Sequence, residues 1–271
     1  MRTDRHSSII SITGGKGGVG KTVSSIHLAI ITARLGYKTL LIDGDMGLAN
    51  IDIVLGIHPK YNISDVIEKD LSFEDVIVKN QFGVDIIPSG SGIQELTSIS
   101  YVNKLQLLDK IEELETQYDY IYVDTAAGIS DNVVFFNGCS DTCIIVVTAE
   151  PHSIADAYSS IKVISSKFKK KDFYVIVNMV DSESEGDMVF TRLNSVSQKF
   201  LGFSLLHLGS VPRDPQLQQA ILKQSVGSLY YRTVSGQAYT RIVNRLFDDK
   251  LISKSSPEDG YFKKIIGYTE L

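Results

Sequence analysis

Gly15-Lys16-Gly17-Gly18-Val19-Gly20-Lys21-Thr22 fits the pattern G-x-x-x-x-G-K-[ST], and the rest of the chain reads as parts that serve the anion such a loop holds. Its glycines let backbone N–H groups turn inward around a phosphate. Lys21 supplies a point charge for the outer phosphates, and the Thr22 hydroxyl suits a magnesium ion. The flanks agree with this reading. An apolar run, Ser8 to Thr13, precedes the loop as a strand would, and residues 23–35 follow with helical character, so a helix N-terminus also points at the phosphates.

Outward from the loop, strand-like runs recur at 9–13, 38–43, 84–88, 120–125, 142–148, 173–178 and 204–211. Helix-length amphipathic segments lie at 102–116, 154–168 and 187–200, with a last helix at 235–249. Continuous apolar runs such as Cys143-Ile144-Ile145-Val146-Val147 suit strands buried on both faces. The expected fold is therefore α/β: a mainly parallel twisted sheet with helices on both faces. Neither an internal repeat nor a low-complexity linker interrupts the chain before Leu251, so residues 1–250 are expected to form one domain, followed by 251–271 as a polar tether and a short amphipathic segment.

At 271 residues and 43% hydrophobic content the chain can bury a large core. A net charge of −5 argues against a protein that coats nucleic acid, although a local basic patch is compatible with an acidic total. Nucleic acid is not an expected partner. Residues 1–8 lack the apolar core of a signal peptide, and no later run approaches a membrane span, which points to the cytoplasm. Cys139 and Cys143 read as reduced structural thiols.

Three carboxylates belong with the loop. The second strand ends Leu40-Leu41-Ile42-Asp43-Gly44-Asp45, placing two acids just past its carboxyl edge, where open α/β sheets gather ligands. Two carboxylates beside a triphosphate repel it unless Mg²⁺ or water stands between, so contact with metal-bound water and orientation of a reacting water are their plausible roles. The run Tyr120-Ile121-Tyr122-Val123-Asp124 has the apolar-then-Asp form of a second metal element, with Asp124 opposite Thr22. Thr125-Ala126-Ala127-Gly128 follows as a compact turn able to swing with the phosphate. Beyond the next strand, Glu150-Pro151-His152-Ser153 is sensible helix-start chemistry and needs no other role.

Lys16 makes the motif specific. Lys16-Gly17-Gly18-Val19-Gly20-Lys21-Thr22 resembles the deviant Walker A loop of the MinD/ParA ATPases, in which the first lysine crosses a dimer interface to the partner's nucleotide. The resemblance implies ATP and ADP as nucleotides, Mg²⁺ as the metal and an ATP-dependent homodimer. It implies slow ATP hydrolysis with Lys16, Asp45 and Lys21 as catalytic groups. Residues Gly15, Lys16, Gly17, Gly18, Val19, Gly20, Lys21, Thr22 and Val23 would hold phosphate, with Thr22, Asp43 and Asp124 at the metal. By the same resemblance Glu150 would reach the partner's ribose, Asp156 would pair with Lys16 when the dimer is apart, and Asn178, Val211, Pro212 and Arg213 would frame the adenine. Residues 47–56 look like a switch helix.

The tail adds a membrane. On a helix, Tyr261, Phe262, Ile265 and Ile266 fall largely on one face, with Lys263 and Lys264 placed for lipid headgroups. One such segment binds marginally and two on a dimer bind by avidity, so reversible residence on the inner face of the cell membrane is expected. A frayed terminus or a flap packed on the domain is the competing reading. The stretches Asp45-Met46-Gly47-Leu48-Ala49-Asn50-Ile51-Asp52 and Glu150-Pro151-His152-Ser153-Ile154-Ala155-Asp156-Ala157-Tyr158 resemble the FlhG group, also called FleN or YlxH, which sets flagellar number and placement. A GTPase of the FlhF type or a flagellar transcription or assembly factor is the implied partner, although residues 1–8 lack the DQAxxLR activator motif that some members carry. A MinD-like division-site regulator, a ParA-like DNA-segregation ATPase and a non-hydrolysing ATP-binding module remain as alternatives.

Overall fold

The computed structural model describes residues 7–45, 50–69, 71–90, 114, 116–228 and 232–248. The expected 102–116 helix, the stretch 46–49 and the 251–271 tail fall wholly or mostly outside them.

Eight strands form one sheet in the order β3-β4-β2-β5-β1-β6-β7-β8. They are β1 (Ser8–Thr13), β2 (Thr39–Gly44), β3 (Val78–Gln81), β4 (Val84–Ile87), β5 (Tyr120–Thr125), β6 (Thr142–Val147), β7 (Phe173–Val180) and β8 (Leu206–Pro212). All neighbours run parallel except β3 and β4, which pair antiparallel. The strands β1, β2, β5 and β6 are buried along their whole length, as their apolar runs require.

Period-two alternation sorts the strand side chains to two cores. Ile10 and Ile12 of β1 and Tyr120 and Tyr122 of β5 pack on one face with α1 (Lys21–Arg34) and α9 (Val234–Asp248). The short helices α2 (Ile51–Leu55) and α8 (Pro215–Leu222) join that face. Ile9, Ile121 and Val123 turn to the opposite face, toward α3 (Ile63–Glu68), α4 (Phe73–Val76) and α5 (Asp131–Cys139). Beside them, β6 and β7 are covered by α6 (Pro151–Phe168) and α7 (Glu183–Leu201). Pro151 opens α6, and α7 starts ahead of the expected 187 because the Ser182 side chain caps it by accepting from Glu185 N at 3.2 Å.

Strand β1 lies between β5 and β6, so consecutive crossovers leave it in opposite directions. Such a switch point opens a crevice at the carboxyl edge of the sheet. The loop 14–20 lies at that edge, directly after β1, and it is where the acids of β2 and β5 end.

Candidate functional site

The loop is held open by bonds to its outward-facing carbonyls. Gly14 O accepts from Gly128 N at 3.3 Å, Val19 O from Asn178 Nδ2 at 2.9 Å, and Gly20 O from Ser24 N at 3.0 Å. A trans peptide points its N–H away from its C=O, so pinning these oxygens outward turns the following amides toward the hollow of the loop. Gly20 has φ +91°, and a Cβ there would lie 2.2 Å from Asn178 Nδ2, so any other residue is strained and must displace the Asn178 amide. Gly15 is equally constrained, because a Cβ there would stand 2.2 Å from the Asp156 backbone.

The two lysines differ in setting. Lys21 is buried, and its ammonium lies 3.4 Å from Lys16 O. Desolvation lowers its pKa, against the opposing pull of Asp124 and Asp45. Lys16 is half-exposed and its Nζ lies 2.5 Å from Glu150 Oε2. The lysine's bond and charge hold the Glu150 carboxyl below its ordinary range. This corrects the expected pairing of Lys16 with Asp156. Glu150 is the residue just ahead of α6 and faces the loop, whereas Asp156 lies within the helix with its backbone packed beneath Gly15.

Asp43 and Asp124 are register neighbours on β2 and β5, both buried. Burial, and then the adjacent Asp124 charge, push the Asp43 carboxyl up to about 8. Its oxygens hold the chain that follows: Oδ1 accepts from Asp45 N at 3.1 Å, and Oδ2 from Asn50 N at 3.0 Å and Ile51 N at 3.2 Å. Asp43 thus anchors the start of α2. Burial also raises Asp124, to about 6, although the Thr22 and Ser25 hydroxyls and the Lys21 charge oppose the shift. Ser25 Oγ lies 2.9 Å from Asp124 Oδ1 and 3.0 Å from Lys21 O, two acceptors for one proton. Asp45 is half-buried just past the end of β2. Its carbonyl accepts from Ser89 Oγ at 2.8 Å, and Asn50 Nδ2 lies 3.5 Å from its Oδ2.

A cleft of about 290 Å³ runs from Lys16, Gly17 and Gly18 past Thr148 and Glu150 to Met179 and Arg213. Asn178 is buried beneath this region and tied to the loop as above. Val211 turns its side chain into the core, so only its backbone is available at the rim. Pro212 is half-buried, and Arg213 Nε pairs with Asp181 Oδ1 at 3.0 Å.

Thr22 and Val23 follow Lys21 in the first turn of α1, at the loop's foot. Sequence reasoning overlooked Thr148 and Met179. Thr148 is the first polar residue after the apolar run of β6, a signal available in the sequence, and its buried Oγ1 has no partner among the described residues. Met179 takes φ +60° where β7 and β8 slip register, which no sequence pattern announces.

The arrangement fits a nucleotide phosphate with a divalent cation. Two buried carboxylates side by side, both raised in pKa, beside a threonine hydroxyl and a lysine, form a donor set that a cation relieves. Thr148, whose buried hydroxyl has no partner among the described residues, lines the wall of the cleft.

Comparison with known proteins agrees. A family model described as an AAA domain matches residues 7–174. The antiactivator FleN of Pseudomonas aeruginosa is 37% identical over 239 residues, covering 88% of this chain and 85% of the relative. The flagellum site-determining protein YlxH of Helicobacter pylori is 31% identical over 270 residues, covering 97% and 91%. Among solved structures, the MinC:MinD cell division protein complex of Aquifex aeolicus superposes with a TM-score of 0.71 at 30% identity, covering 93% of this chain and 98% of that one. With the loop, its two lysines and the acids of β2 and β5 gathered on one sheet edge, the chain belongs to the MinD/ParA-type P-loop ATPases and, within them, to the FleN/YlxH (FlhG) group.

Proposed function

We propose that this ATPase is a nucleotide-gated switch that dimerises with ATP, resides reversibly on the inner face of the cell membrane and regulates the number or placement of flagella. The observation that carries the reading is the meeting of the phosphate loop with Asp43, Asp45 and Asp124 at one sheet edge, with Lys16 at the open side of the cleft. The flagellar assignment is supported by the relatives named FleN and YlxH. Among the described residues no helix is long and apolar enough to cross a membrane. Membrane residence is assigned to the 261–268 segment from its sequence pattern, Tyr261, Phe262, Ile265 and Ile266 on one face with Lys263 and Lys264 beside them.

The loop amides and Lys21 would bind the phosphates of ATP, with adenine toward Asn178 and Arg213. Mg²⁺ held by Thr22 and by water ordered on Asp43 and Asp124 would neutralise charge on the transferred phosphoryl group. Asp45, just past the end of β2, would orient the attacking water and accept its proton. Lys16 would leave Glu150 for the partner's nucleotide. An exposed, solvent-screened pair of this kind is weak, so a phosphate competes with it readily. The partner implied by this reading is an FlhF-type GTPase or a flagellar transcription or assembly factor.

The test is mass by light scattering on Asp45→Ala with no nucleotide, ADP and ATP, followed by anionic liposome pelleting. A dimer only with ATP, which pellets unless residues 261–271 are deleted, is the expected result. Constant mass across the nucleotides refutes the switch and leaves a monomeric nucleotide-binding module.

A further inference from the structure

Helix α9 reaches the phosphate loop through one side chain. Tyr239 is fully buried, with its hydroxyl 2.8 Å from Ser24 Oγ, and Ser24 Oγ lies 2.8 Å from the carbonyl of Gly20. A carbonyl only accepts and a serine has one proton, so the direction is fixed. Tyr239 donates to Ser24, and Ser24 donates to Gly20 O. Chains of this kind polarise one another, and more so away from water.

The consequence falls on the next amide. Gly20 sits at φ +91°, a position whose missing Cβ leaves the peptide after it little side-chain restraint. With its C=O drawn along the helix by both the Ser24 N–H at 3.0 Å and the Ser24 hydroxyl, the planar Gly20–Lys21 peptide turns the Lys21 N–H the other way, out of the N-terminus of α1.

Tyr239 itself cannot swing aside. Its ring stacks on His27 at 4.7 Å and 24°, and His27 Nδ1 donates to Val23 O at 2.8 Å. The start of α9 is clamped as well. Asp214 Oδ2 accepts from Ser235 N at 3.0 Å and Ser235 Oγ at 2.7 Å, while Oδ1 caps α8 through Gln216 N at 2.9 Å. Asp214 directly follows Arg213, so the same helix is tied to the far rim of the cleft.

We propose that Tyr239 is a positioning residue for the phosphate loop: acting through Ser24, its hydroxyl fixes the Gly20–Lys21 peptide so that the Lys21 N–H is presented to a bound phosphate. The proposal rests on the nucleotide reading above. Tyr239 is fully buried and does not line the cleft, and it is absent from every motif by which the loop is recognised. It makes the packing of α9 a determinant of phosphate affinity.

The experiment compares the full chain with Tyr239→Phe, Ser24→Ala and the double variant. Binding of MgADP and of inorganic pyrophosphate is read by titration calorimetry, alongside steady-state ATPase kinetics. Tyr239→Phe keeps the ring on His27 and removes one hydrogen bond, which corresponds to about a three- to tenfold loss of affinity for both probes. KM for ATP should rise with kcat at saturation unchanged, a split that loosened packing alone does not produce. The double variant should bind no more weakly than Ser24→Ala, because the tyrosine acts through the serine. Unchanged affinity in Tyr239→Phe, or additive losses in the double variant, overturns the proposal. Ser24→Ala keeps the Tyr239 side chain and removes the relay itself, so its unchanged affinity overturns the proposal equally, even where Tyr239→Phe folds poorly. A wild-type chain that binds neither probe refutes the nucleotide reading and the proposal together, whereas tight wild-type binding with indifferent variants refutes the proposal alone.

Discussion

Replacing Asp124 by asparagine should make the nucleotide-free protein more stable while abolishing tight Mg-nucleotide binding. Asp124 is fully buried beside Asp43, and its carboxyl is raised from 3.8 to about 6 in the fold. A raised carboxyl is a stability cost at neutral pH: the contribution is intact below the unfolded pKa and is lost as pH rises through the folded one. A difference of about two pH units corresponds to about 3 kcal/mol, fully expressed at pH 8. At pH 4 the folded group is protonated and the unfolded group half so, and roughly 0.5 kcal/mol remains. Asparagine keeps a carbonyl for the Ser25 hydroxyl now 2.9 Å from Oδ1, and it removes the charge that helps to raise Asp43. For a chain of this length the gain translates to roughly 5–10 °C in thermal midpoint. Calorimetric scans in EDTA at pH 8 and pH 4 provide the assay. A variant no more stable than wild type at pH 8, or equally stabilised at both pH values, refutes the reasoning. Addition of MgADP should stabilise wild type and not the variant, by linkage.

Gly20→Ala should lose roughly 1–3 kcal/mol to backbone strain alone and should displace Asn178 from Val19 O, read as a lower thermal midpoint together with weakened ADP binding. Wild-type stability with full ADP affinity would show that the loop tolerates a side chain there. His27 is buried neutral, with burial lowering its pKa from 6.5 to about 4. Its contribution is therefore complete above pH 6.5 and falls by about 3 kcal/mol as pH drops through 4, opposite in sign to that of Asp124. Urea unfolding of His27→Phe, which can still stack on Tyr239, should show a shallower loss of stability between pH 6.5 and 4, and an unchanged slope would contradict the assignment.

Much of the fold was legible because its signals are local. The β5 strand coincides with the expected 120–125 run, and β1, β2, β4 and β6 to β8 differ from expectation mainly at their ends. Apolar runs bounded by turns suffice for strands buried on both faces. Strand β3 and the helices α3, α4, α5 and α8 escaped. Strand β3 pairs with β4 across Phe82 and Gly83, at φ +55° and +94°, a tight hairpin turn without the Asn-Gly signature that usually announces one. Helix α5 is buried at Val133, Val134, Phe136, Asn137 and Cys139, so it lacks the single apolar stripe that periodicity detects.

In the site, the chain order sufficed to name the loop, Asp43, Asp45 and Asp124, because strand ends in a parallel sheet meet at one edge. What each group touches was not readable. Lys16 pairs with Glu150 and not with Asp156, since the entry angle of α6 decides which acid faces the loop and which lies under it. Asp43 holds the start of α2, and Asn178 holds the loop itself, contacts between residues 7 and 159 positions apart. The sequence by itself determined the fold class and which loop and acids would stand at one sheet edge, because glycine permissiveness, strand burial and helix-end chemistry are properties of neighbouring residues. Only the tertiary structure decided the ion pairs, the raised carboxyls and the Tyr239–Ser24–Gly20 chain, because charge burial and hydrogen-bond partners depend on which distant segments packing brings within 3 Å.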